Sequence, residues 1–296
     1  MHTLTIERPV PFVMHTGPLT LLLAGCGGTG SHLAQALARI AAHTRSRRTD
    51  LRIIFCDGDT VEEKNVGRQL FTPRDVGHNK SQALAARFNA LFGLAIEALP
   101  EMATVDRLLK IGGQSRRAPN GNGSLGILIG AVDSATARKS LHSALLNQRC
   151  WHGWLDCGNH ENAGQVLFGT ETQPARLADA VKVGICTKLP APSIVAPDLL
   201  AATPRRQRED CAAAMEDNVQ SLMVNQMMAS IASEYLAKLI IHRRLTTFQT
   251  IVDLGTLTMR STPVTAGAIR QVVDAYQDHQ QRRADAMPHE EKERAA

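Results

Sequence analysis

The stretch that decides the fold is Leu19-Thr-Leu-Leu-Leu-Ala-Gly25-Cys-Gly27-Gly28-Thr-Gly30-Ser31, in which an apolar run of strand length leads into the pattern G-x-G-x-x-G. Glycines suit this position because the turn is tight and a phosphate must approach the backbone closely. The helix that we expect to open at Ser31 offers unpaired N–H groups and the positive end of its dipole. The pattern therefore predicts a nucleotide site, although on its own it is more typical of nicotinamide or flavin cofactors than of ATP.

A second polar stretch follows the next predicted strand, Leu51–Cys56, and runs from Asp57 to Lys80. Carboxylates suit a ribose or a metal ion, cations suit phosphates, and amides orient a bound group. The stretch supplies all three kinds of side chain: Asp57, Asp59, Asn65, Arg68, Gln69 and Lys80. A solvated loop would explain these residues if the stretch stood alone. Its position after the glycine pattern favours a triphosphate site.

The predicted elements continue to alternate beyond Lys80. We expect a helix at 79–92, a strand at 95–99, a short helix at 105–111, a surface loop at 112–124 and a buried strand at 125–132. Strands that alternate with helices predict an α/β fold with a doubly wound, mostly parallel sheet. Because the carboxyl ends of parallel strands meet at one edge of a sheet, we expect Asp57, Asp59 and Asp133 to lie beside the glycine loop.

The second half of the chain is less regular. Two strands at 151–159 and 162–169 lead into a proline-rich, irregular crossing segment at 170–210, a long helix at 215–242 and closing strands at 248–253 and 257–260. We interpret residues 1–273 as a single domain, with a nucleotide-binding half at 19–150 and the helix and closing strands within 215–262. The charge-dense segment 274–296 is expected to be a flexible tail or a frayed helix.

The composition argues against several classes of protein. The chain has 296 residues, of which 44% are hydrophobic and 4% aromatic, and its net charge is +5; so few aromatic residues argue against a stacking surface for nucleic acid. It contains no apolar run of about 18 residues and no basic start followed by an apolar core. We therefore expect a soluble, cytoplasmic protein with no membrane span. The six cysteines include no C-x-x-C pair, which argues against a structural zinc site.

Six motifs stand in a fixed order between residues 19 and 145: Gly25-Cys-Gly-Gly-Thr-Gly-Ser31, Asp57-Gly-Asp59, Asn65-Val-Gly-Arg68-Gln69, Asp75-Val-Gly77, Lys80, and Asp133 with Arg138. Together they resemble the adenylating domain shared by ubiquitin-activating enzymes and the bacterial ThiF and MoeB proteins. Within that group the chain is most similar to the ThiF family protein of the PRTRC gene system of plasmids and mobile elements.

This resemblance implies an enzyme that uses ATP and Mg²⁺ to adenylate the C-terminal glycine carboxylate of a ubiquitin-like, β-grasp protein, with the chain acting as a homodimer. The implied nucleotide-binding residues are Gly25, Gly27, Gly28, Gly30, Asp57, Asp59, Asn65, Arg68, Gln69 and Lys80. Among them, Asp57 would bind the ribose hydroxyls, Arg68 and Lys80 the phosphates, and Asn65 and Gln69 would orient the nucleotide. Asp133 would bind the metal ion. An attacking carboxylate is already ionised, so the reaction needs no general base.

A thioester step after adenylation would need a cysteine nucleophile. The segment Val183-Gly-Ile-Cys186-Thr-Lys-Leu-Pro190 is similar to the Cys-Thr context of the thioester cysteine in ubiquitin-activating enzymes. Lys182 or Lys188 is expected to lower the pKa of Cys186 and so activate it. The competing interpretation is a small residue packed beneath a loop, and Cys211 is a weaker candidate. A thioester would also bring in a downstream conjugating protein as a partner.

Two departures from the family pattern and two alternative functions accompany this interpretation. The zinc cysteines of ThiF and MoeB are absent, so no zinc is expected, and only Arg8 near the N-terminus is available to reach a neighbouring ATP site. One alternative is an NAD(P)-dependent oxidoreductase, which has no use for Arg68, Lys80 and Asp133 together. The other is a non-catalytic, nucleotide-binding scaffold subunit, which would be expected to lose some of these charged positions.

Overall fold

The structure is a computed structural model that describes residues 7–46, 50–116, 124–147, 150–159, 162–201 and 213–286, with the side chains of 115–116 and 213–222 left undescribed. The strands in these ranges are β1 (Phe12–Val13), β2 (Leu19–Ala24), β3 (Leu51–Cys56), β4 (Glu97–Leu99), β5 (Leu125–Gly130), β6 (Gly153–Asn159), β7 (Ala163–Gly169), β8 (Val181–Lys182), β9 (Ile185–Cys186), β10 (Arg244–Leu245), β11 (Thr247–Asp253) and β12 (Thr258–Pro263). The helices are α1 (Gly28–Thr44), α2 (Lys80–Phe92), α3 (Val105–Arg116), α4 (Ala135–Leu146), α5 (Pro192–Val195), α6 (Ala213–Ala237) and α7 (Ala266–Ala286).

Eight strands form the main sheet in the order β12-β11-β7-β6-β5-β2-β3-β4. The strands from β6 to β4 are all parallel, and β7, β11 and β12 extend the sheet with antiparallel pairings. The prediction of an α/β fold with a doubly wound, mostly parallel sheet is confirmed. Strand β2 pairs with β3 on one side and with β5 on the other. From β2 the sheet grows in one direction to β3 and β4, and the chain then returns to add β5 on the opposite side of β2. Such a reversal of strand order opens a crevice at the carboxyl ends of the strands.

The central strands β2 and β5 are buried on both faces of the main sheet, and their successive side chains point to opposite sides. On one face, Leu21 and Leu23 of β2 belong to the same buried cluster as Leu33 and Leu37 of α1. On the other face, Leu22 belongs to a second cluster with Leu128, Leu141, Trp151 and Trp154. This double burial explains why the parallel strands read as nearly continuous apolar runs.

Some boundaries differ from the sequence-based expectation. Helix α1 begins at Gly28 rather than at Ser31, so the last glycines of the pattern already form its first turn. Helix α3 continues to Arg116, five residues beyond the expected end, and β4 is shorter than expected. The long helix α6 ends in a π-helical turn, Lys238–His242, which stops at Arg243 in a left-handed conformation.

The second half contains more regular structure than its composition suggested. Within the described part of the crossing segment, β8 and β9 form a hairpin that joins β1 and β10 in a small sheet of order β10-β1-β9-β8. Residues 202–210 of this segment, and Cys211 beyond it, lie outside the described residues. The charged segment expected from residue 274 belongs to α7 as far as Ala286. In the described ranges we find no helix that combines the length and apolar character needed to cross a bilayer.

Candidate nucleotide-binding site

A cleft of about 620 Å³ opens at the carboxyl ends of β2, β3, β5 and β6. Residues from three separate segments line it together: Gly25, Gly27, Gly28, Asp57, Asp59, Arg68, Gln69, Lys80 and Asp133. The structure thus brings together the glycine loop, the polar stretch after β3 and the carboxylate after β5. Two residues of the expected nucleotide set, Gly30 and Asn65, do not line the cleft.

The glycine loop closes tightly against the start of α1. Gly25 has a φ of +88°, and a Cβ atom there would collide with the carbonyl oxygen of Ala131. A Cβ atom on Gly30 would collide with the carbonyl oxygen of Gly25. Gly30 therefore lets α1 pack on the loop, which explains its place in the pattern although it does not face the cleft.

The carboxylate of Asp57 is fixed beneath the glycine loop. Its Oδ2 accepts a hydrogen bond from the backbone N–H of Cys26 at 2.6 Å, and its Oδ1 accepts one from the N–H of Asp59 at 2.8 Å. Burial raises the pKa of Asp57, and these hydrogen bonds oppose the rise. Asp57 therefore joins the end of β3 to the loop after β2 and holds a carboxylate at the wall of the cleft.

Lys80 is held in the cleft as an oriented cation. It is the first residue of α2, and Asn79 before it donates its Nδ2 to the carbonyl oxygens of Asp57 and Asp59, at 2.8 and 3.0 Å. The Nζ of Lys80 lies 3.0 Å from Oδ2 of Asp59, with the lysine side chain 10% exposed and the aspartate side chain 54% exposed. An anionic ligand in the cleft would compete with the solvated Asp59 for this ammonium group.

The loop that carries Arg68 and Gln69 is tied to α1. The N–H of Leu70 donates to the Oγ of Ser31 at 3.1 Å. Asn65 is buried, and its Oδ1 accepts the N–H of Glu62 at 2.9 Å, so its side chain stabilises the loop instead of facing the cleft. The expected role of Asn65 in orienting the nucleotide stays a prediction. Arg68 forms no ion pair with any described residue.

A buried ion pair between Arg138 and Asp156 lies behind Asp133, and Asp156 was not predicted from the sequence. The Nε of Arg138 donates to Oδ2 of Asp156 at 3.2 Å, and its Nη1 donates to the carbonyl oxygen of Asp133 at 3.4 Å. Asp156 is fully buried, and burial raises its pKa to about 6 while Arg138 opposes the rise. The sequence signal was available, since Asp156 is an ionisable residue inside the apolar strand β6.

Two amides that were not predicted from the sequence, Asn159 and Asn225, also line the cleft. Asn159 ends β6, and Asn225 belongs to α6. Asn225 contacts Thr29, a residue 196 positions earlier in the chain. No local pattern pointed to this contact, because the two residues meet only through the packing of α6 on α1.

Cys186 lies in the small sheet and does not line the cleft. It is buried, and its Sγ donates to the carbonyl oxygen of Lys188 at 3.0 Å. Burial raises the pKa of Cys186 to about 11. The expectation that a nearby lysine lowers this pKa is wrong, because Lys182 and Lys188 pair with Asp179 and Glu171 instead. A thiol with a raised pKa is a poor nucleophile at neutral pH.

The donor set of the cleft is compatible with Mg²⁺ held jointly by protein and phosphate. Among the described residues no group of three or more histidine, cysteine, aspartate or glutamate side chains is arranged to hold a metal ion. Magnesium, however, is usually bound by one or two carboxylates together with substrate phosphates and water. Asp133 is exposed at the cleft and fits that role.

Comparison with known families decides the classification. The family model described as "ThiF family" matches residues 17–270. The chain belongs to the ThiF family. The match includes the glycine loop, the charged stretch, the crossing segment and α6. It confirms the resemblance seen in the motifs at the level of the family, whereas the finer likeness to the PRTRC branch stays a prediction.

Curated relatives of this ThiF family chain are ubiquitin-like modifier-activating enzymes. "Ubiquitin-like modifier-activating enzyme 5" of Bombyx mori is 28% identical over 176 residues, which is 57% of this chain and 42% of the relative. The enzyme of the same name from Culex quinquefasciatus is 26% identical over 225 residues, 74% of this chain and 51% of the relative. The chain thus spans about half the length of the curated relatives it matches.

Solved structures support the fold. The structure titled "E. coli MccB + MccA-N7isoASN" has a TM-score of 0.51 and 14% identity, covering 83% of this chain and 64% of that one. The structure titled "SeMet PaaA" has a TM-score of 0.50 and 18% identity with the same coverage. At these identities the likeness shows a shared fold.

Proposed function

We propose that this ThiF family chain uses ATP and Mg²⁺ to adenylate the C-terminal glycine carboxylate of a ubiquitin-like, β-grasp protein. The observation that carries the proposal is the cleft itself, where Arg68, Lys80 and Asp133 converge on the glycine loop. The names of the curated relatives support the class of acceptor. The proposal concerns the part of those relatives that this chain spans.

The cleft suits a nucleoside triphosphate. The first turn of α1 offers backbone N–H groups and a positive dipole end to phosphate oxygens. Arg68 and Lys80 supply two cations to the cleft, and the fixed carboxylate of Asp57 would accept hydrogen bonds from the ribose hydroxyls. Binding would require Lys80 to exchange its contact with Asp59 for a contact with phosphate, at small cost because Asp59 is half-exposed.

The reaction follows from this arrangement. An oxygen of the ionised glycine carboxylate attacks the α-phosphorus of ATP, the new carboxylate–phosphorus bond forms, and the bond from the α-phosphorus to the bridging oxygen breaks. Pyrophosphate leaves with the bonding electrons, and Arg68 and Lys80 neutralise the negative charge that grows on it. Asp133 would hold Mg²⁺, which supplies further charge neutralisation when it is bound.

The proposal ends at the acyl-adenylate. Cys186 is buried in the small sheet with a raised pKa, so we do not assign it a thioester, and we expect Cys186→Ala to leave adenylation unchanged.

A nicotinamide-dependent oxidoreductase is not favoured, since the family match and the charged cleft both point to triphosphate chemistry. Homodimerisation belongs to the proposal, supported by Met223 and Met227, which are 50% and 41% exposed on α6. A cytoplasmic location stays a prediction.

The proposal is tested by ATP–pyrophosphate exchange. We expect exchange only with a β-grasp protein that ends in glycine, and none after its terminal glycine is removed. Arg68→Ala and Asp133→Ala should lower the exchange rate at least about a hundredfold, in the range seen when a group that stabilises the transition state is removed. Exposed residues outside the cleft provide matched controls, namely Arg74→Ala and Asp106→Ala. Unchanged exchange in Arg68→Ala and Asp133→Ala would remove the site assignment.

A further inference from the structure

The loop that carries Arg68 and Gln69 is held by a side chain of α2 that does not itself line the cleft. Arg87 lies on α2, and its guanidinium group donates from Nη1 to the carbonyl oxygen of Leu70. Its Nη2 donates to Oδ2 of Asp75. One planar group with donors on several nitrogens thus connects α2 to two points of the preceding chain.

The carboxylate of Asp75 keeps this guanidinium group in place. Its Oδ2 also accepts hydrogen bonds from the N–H and the hydroxyl of Thr72, at 2.6 and 2.7 Å. Burial raises the pKa of Asp75, but the hydrogen bonds from Thr72 and the nearby Arg87 outweigh it, so the pKa lies below its usual value. The two side chains of the ion pair are only 29% and 16% exposed, and a partly buried pair is screened less by salt than a surface pair.

Leu70 is therefore held through both of its backbone groups by side chains of two different helices. Its N–H donates to the Oγ of Ser31 on α1 at 3.1 Å, and its carbonyl oxygen accepts from Arg87 on α2. The turn before Leu70 is closed by the N–H of Gln69, which donates to the carbonyl oxygen of Asn65 at 3.0 Å. Because this turn is closed on itself, its placement at the cleft depends on the contacts at its ends.

We propose that Arg87 is a positioning residue that holds Arg68 at the triphosphate site by fixing Leu70. The inference rests on the proposed function, since it concerns a cation assigned to the same phosphates. Arg68 lines the cleft two residues before Leu70, so a shift of Leu70 moves the backbone from which Arg68 reaches the phosphates. A misplacement of about 1 Å is enough to weaken such a contact severely. The competing account is an ion pair that stabilises the fold without orienting Arg68.

The substitution Arg87→Met separates these accounts, because it removes the guanidinium group and keeps most of the apolar length of the side chain. A positioning role predicts that its effect on ATP affinity depends on Arg68, and is lost once Arg68 is already replaced by alanine. An ion pair that only stabilises the fold predicts the same effect with and without that replacement. Lys80→Ala is a third background, in which Arg68 is still present and the effect should persist.

The measurement is the unfolding temperature of the full chain over a series of ATP concentrations with Mg²⁺. The temperature without ATP reports stability, and its rise with ATP gives the dissociation constant, including the weak binding expected for Arg68→Ala. We expect Arg87→Met to weaken ATP binding about tenfold in the unsubstituted chain and in Lys80→Ala, and less than about twofold in Arg68→Ala.

Arg52→Met is the matched control and should leave ATP affinity unchanged. Arg52 lies near the start of β3, whereas the cleft opens at the carboxyl end of that strand. Like Arg87 it forms an ion pair, with Glu97, and its side chain is 33% exposed against 29% for Arg87.

Each outcome decides for or against the inference. An equal loss from Arg87→Met with and without Arg68→Ala, no loss at all, or a loss that vanishes in Lys80→Ala as well would overturn it and leave the proposed function standing. Failure of the unsubstituted chain to bind ATP would overturn both. If Arg87→Met does not fold, Arg87→Lys replaces it and the same outcomes decide, since lysine keeps a positive charge beside Asp75 but lacks the planar fork of donors.

Discussion

At the scale of single residues, Asp156 is a fully buried carboxylate whose pKa is raised to about 6, chiefly by burial. Its ordinary value is 3.8, so the folded state holds the proton more tightly than the unfolded state does. The free energy of unfolding should therefore fall as pH rises from about 4 to about 6 and then stay level, with a total contribution of roughly 3 kcal/mol. Asparagine at this position cannot ionise and should lack this fall.

The measurement is urea unfolding of the protein and of Asp156→Asn between pH 4 and pH 7. We expect the unsubstituted protein to lose stability relative to Asp156→Asn between about pH 4 and pH 6, and the difference to be constant above about pH 6. Asp106→Asn, at an exposed position on α3, is the control and should follow the unsubstituted protein. Parallel curves for the protein and Asp156→Asn would mean that Asp156 titrates normally in the folded state.

The surroundings of a side chain could be predicted from the sequence where the residue stands directly beside a regular strand or helix. Asp57 and Lys80 follow or begin regular elements, so their position at the end of the sheet was predictable from the alternation of strands and helices. Asn65 was not, because its amide caps its own loop at Glu62. Cys186 was misjudged because burial of a thiol depends on a small sheet assembled from distant parts of the chain.

At the scale of elements, the glycine loop and α1 test the account of the fold. A Cβ atom at Gly30 would collide with the backbone of Gly25, which no side-chain movement relieves. We expect Gly30→Ala to destabilise the protein by about 1–3 kcal/mol or more, the cost of overpacking a well-packed site. The matched control is Gly113→Ala in α3, where a Cβ atom meets no neighbour within 4 Å. This substitution should stabilise the helix by about 0.5–1 kcal/mol.

The free energies of unfolding in denaturant distinguish the two glycines. A loss for Gly30→Ala together with a small gain for Gly113→Ala is the expected result. Similar small changes at both positions would show that the loop after β2 can open to accept a methyl group.

Elements with strong local signals were predictable, and elements set by distant packing were not. Helix α2 begins after Asn79, whose side chain accepts the N–H of Gln82, and it ends at Gly93 in the left-handed conformation. Both signals stand in the sequence. The hairpin of β8 and β9 carries no comparable pattern, and its strands exist because β1 and β10 pair alongside them.

At the scale of the whole molecule, the exposed methionines of α6 bear on assembly. Met223 and Met227 are four residues apart, so they lie on the same side of the helix, and both are largely exposed in the single chain. We expect the protein to be a homodimer by light scattering and Met227→Glu to shift it to the monomer, because a buried charge without a partner opposes association. Met259→Glu, at a position on β12 that is 65% exposed, is the control. A monomeric unsubstituted protein would contradict the dimer.

The nucleotide that the cleft binds is identified most directly by the unfolding temperature of the protein with ATP and Mg²⁺, compared with NAD and with NADP. A ligand at a hundred times its dissociation constant that binds only the folded state adds about 2.7 kcal/mol of stability, which raises the unfolding temperature by several degrees. We expect stabilisation by ATP and Mg²⁺, its loss in Asp133→Ala, and no shift with NAD or NADP. Stabilisation by NAD or NADP without stabilisation by ATP would contradict the proposal that this ThiF family chain is an adenylating enzyme.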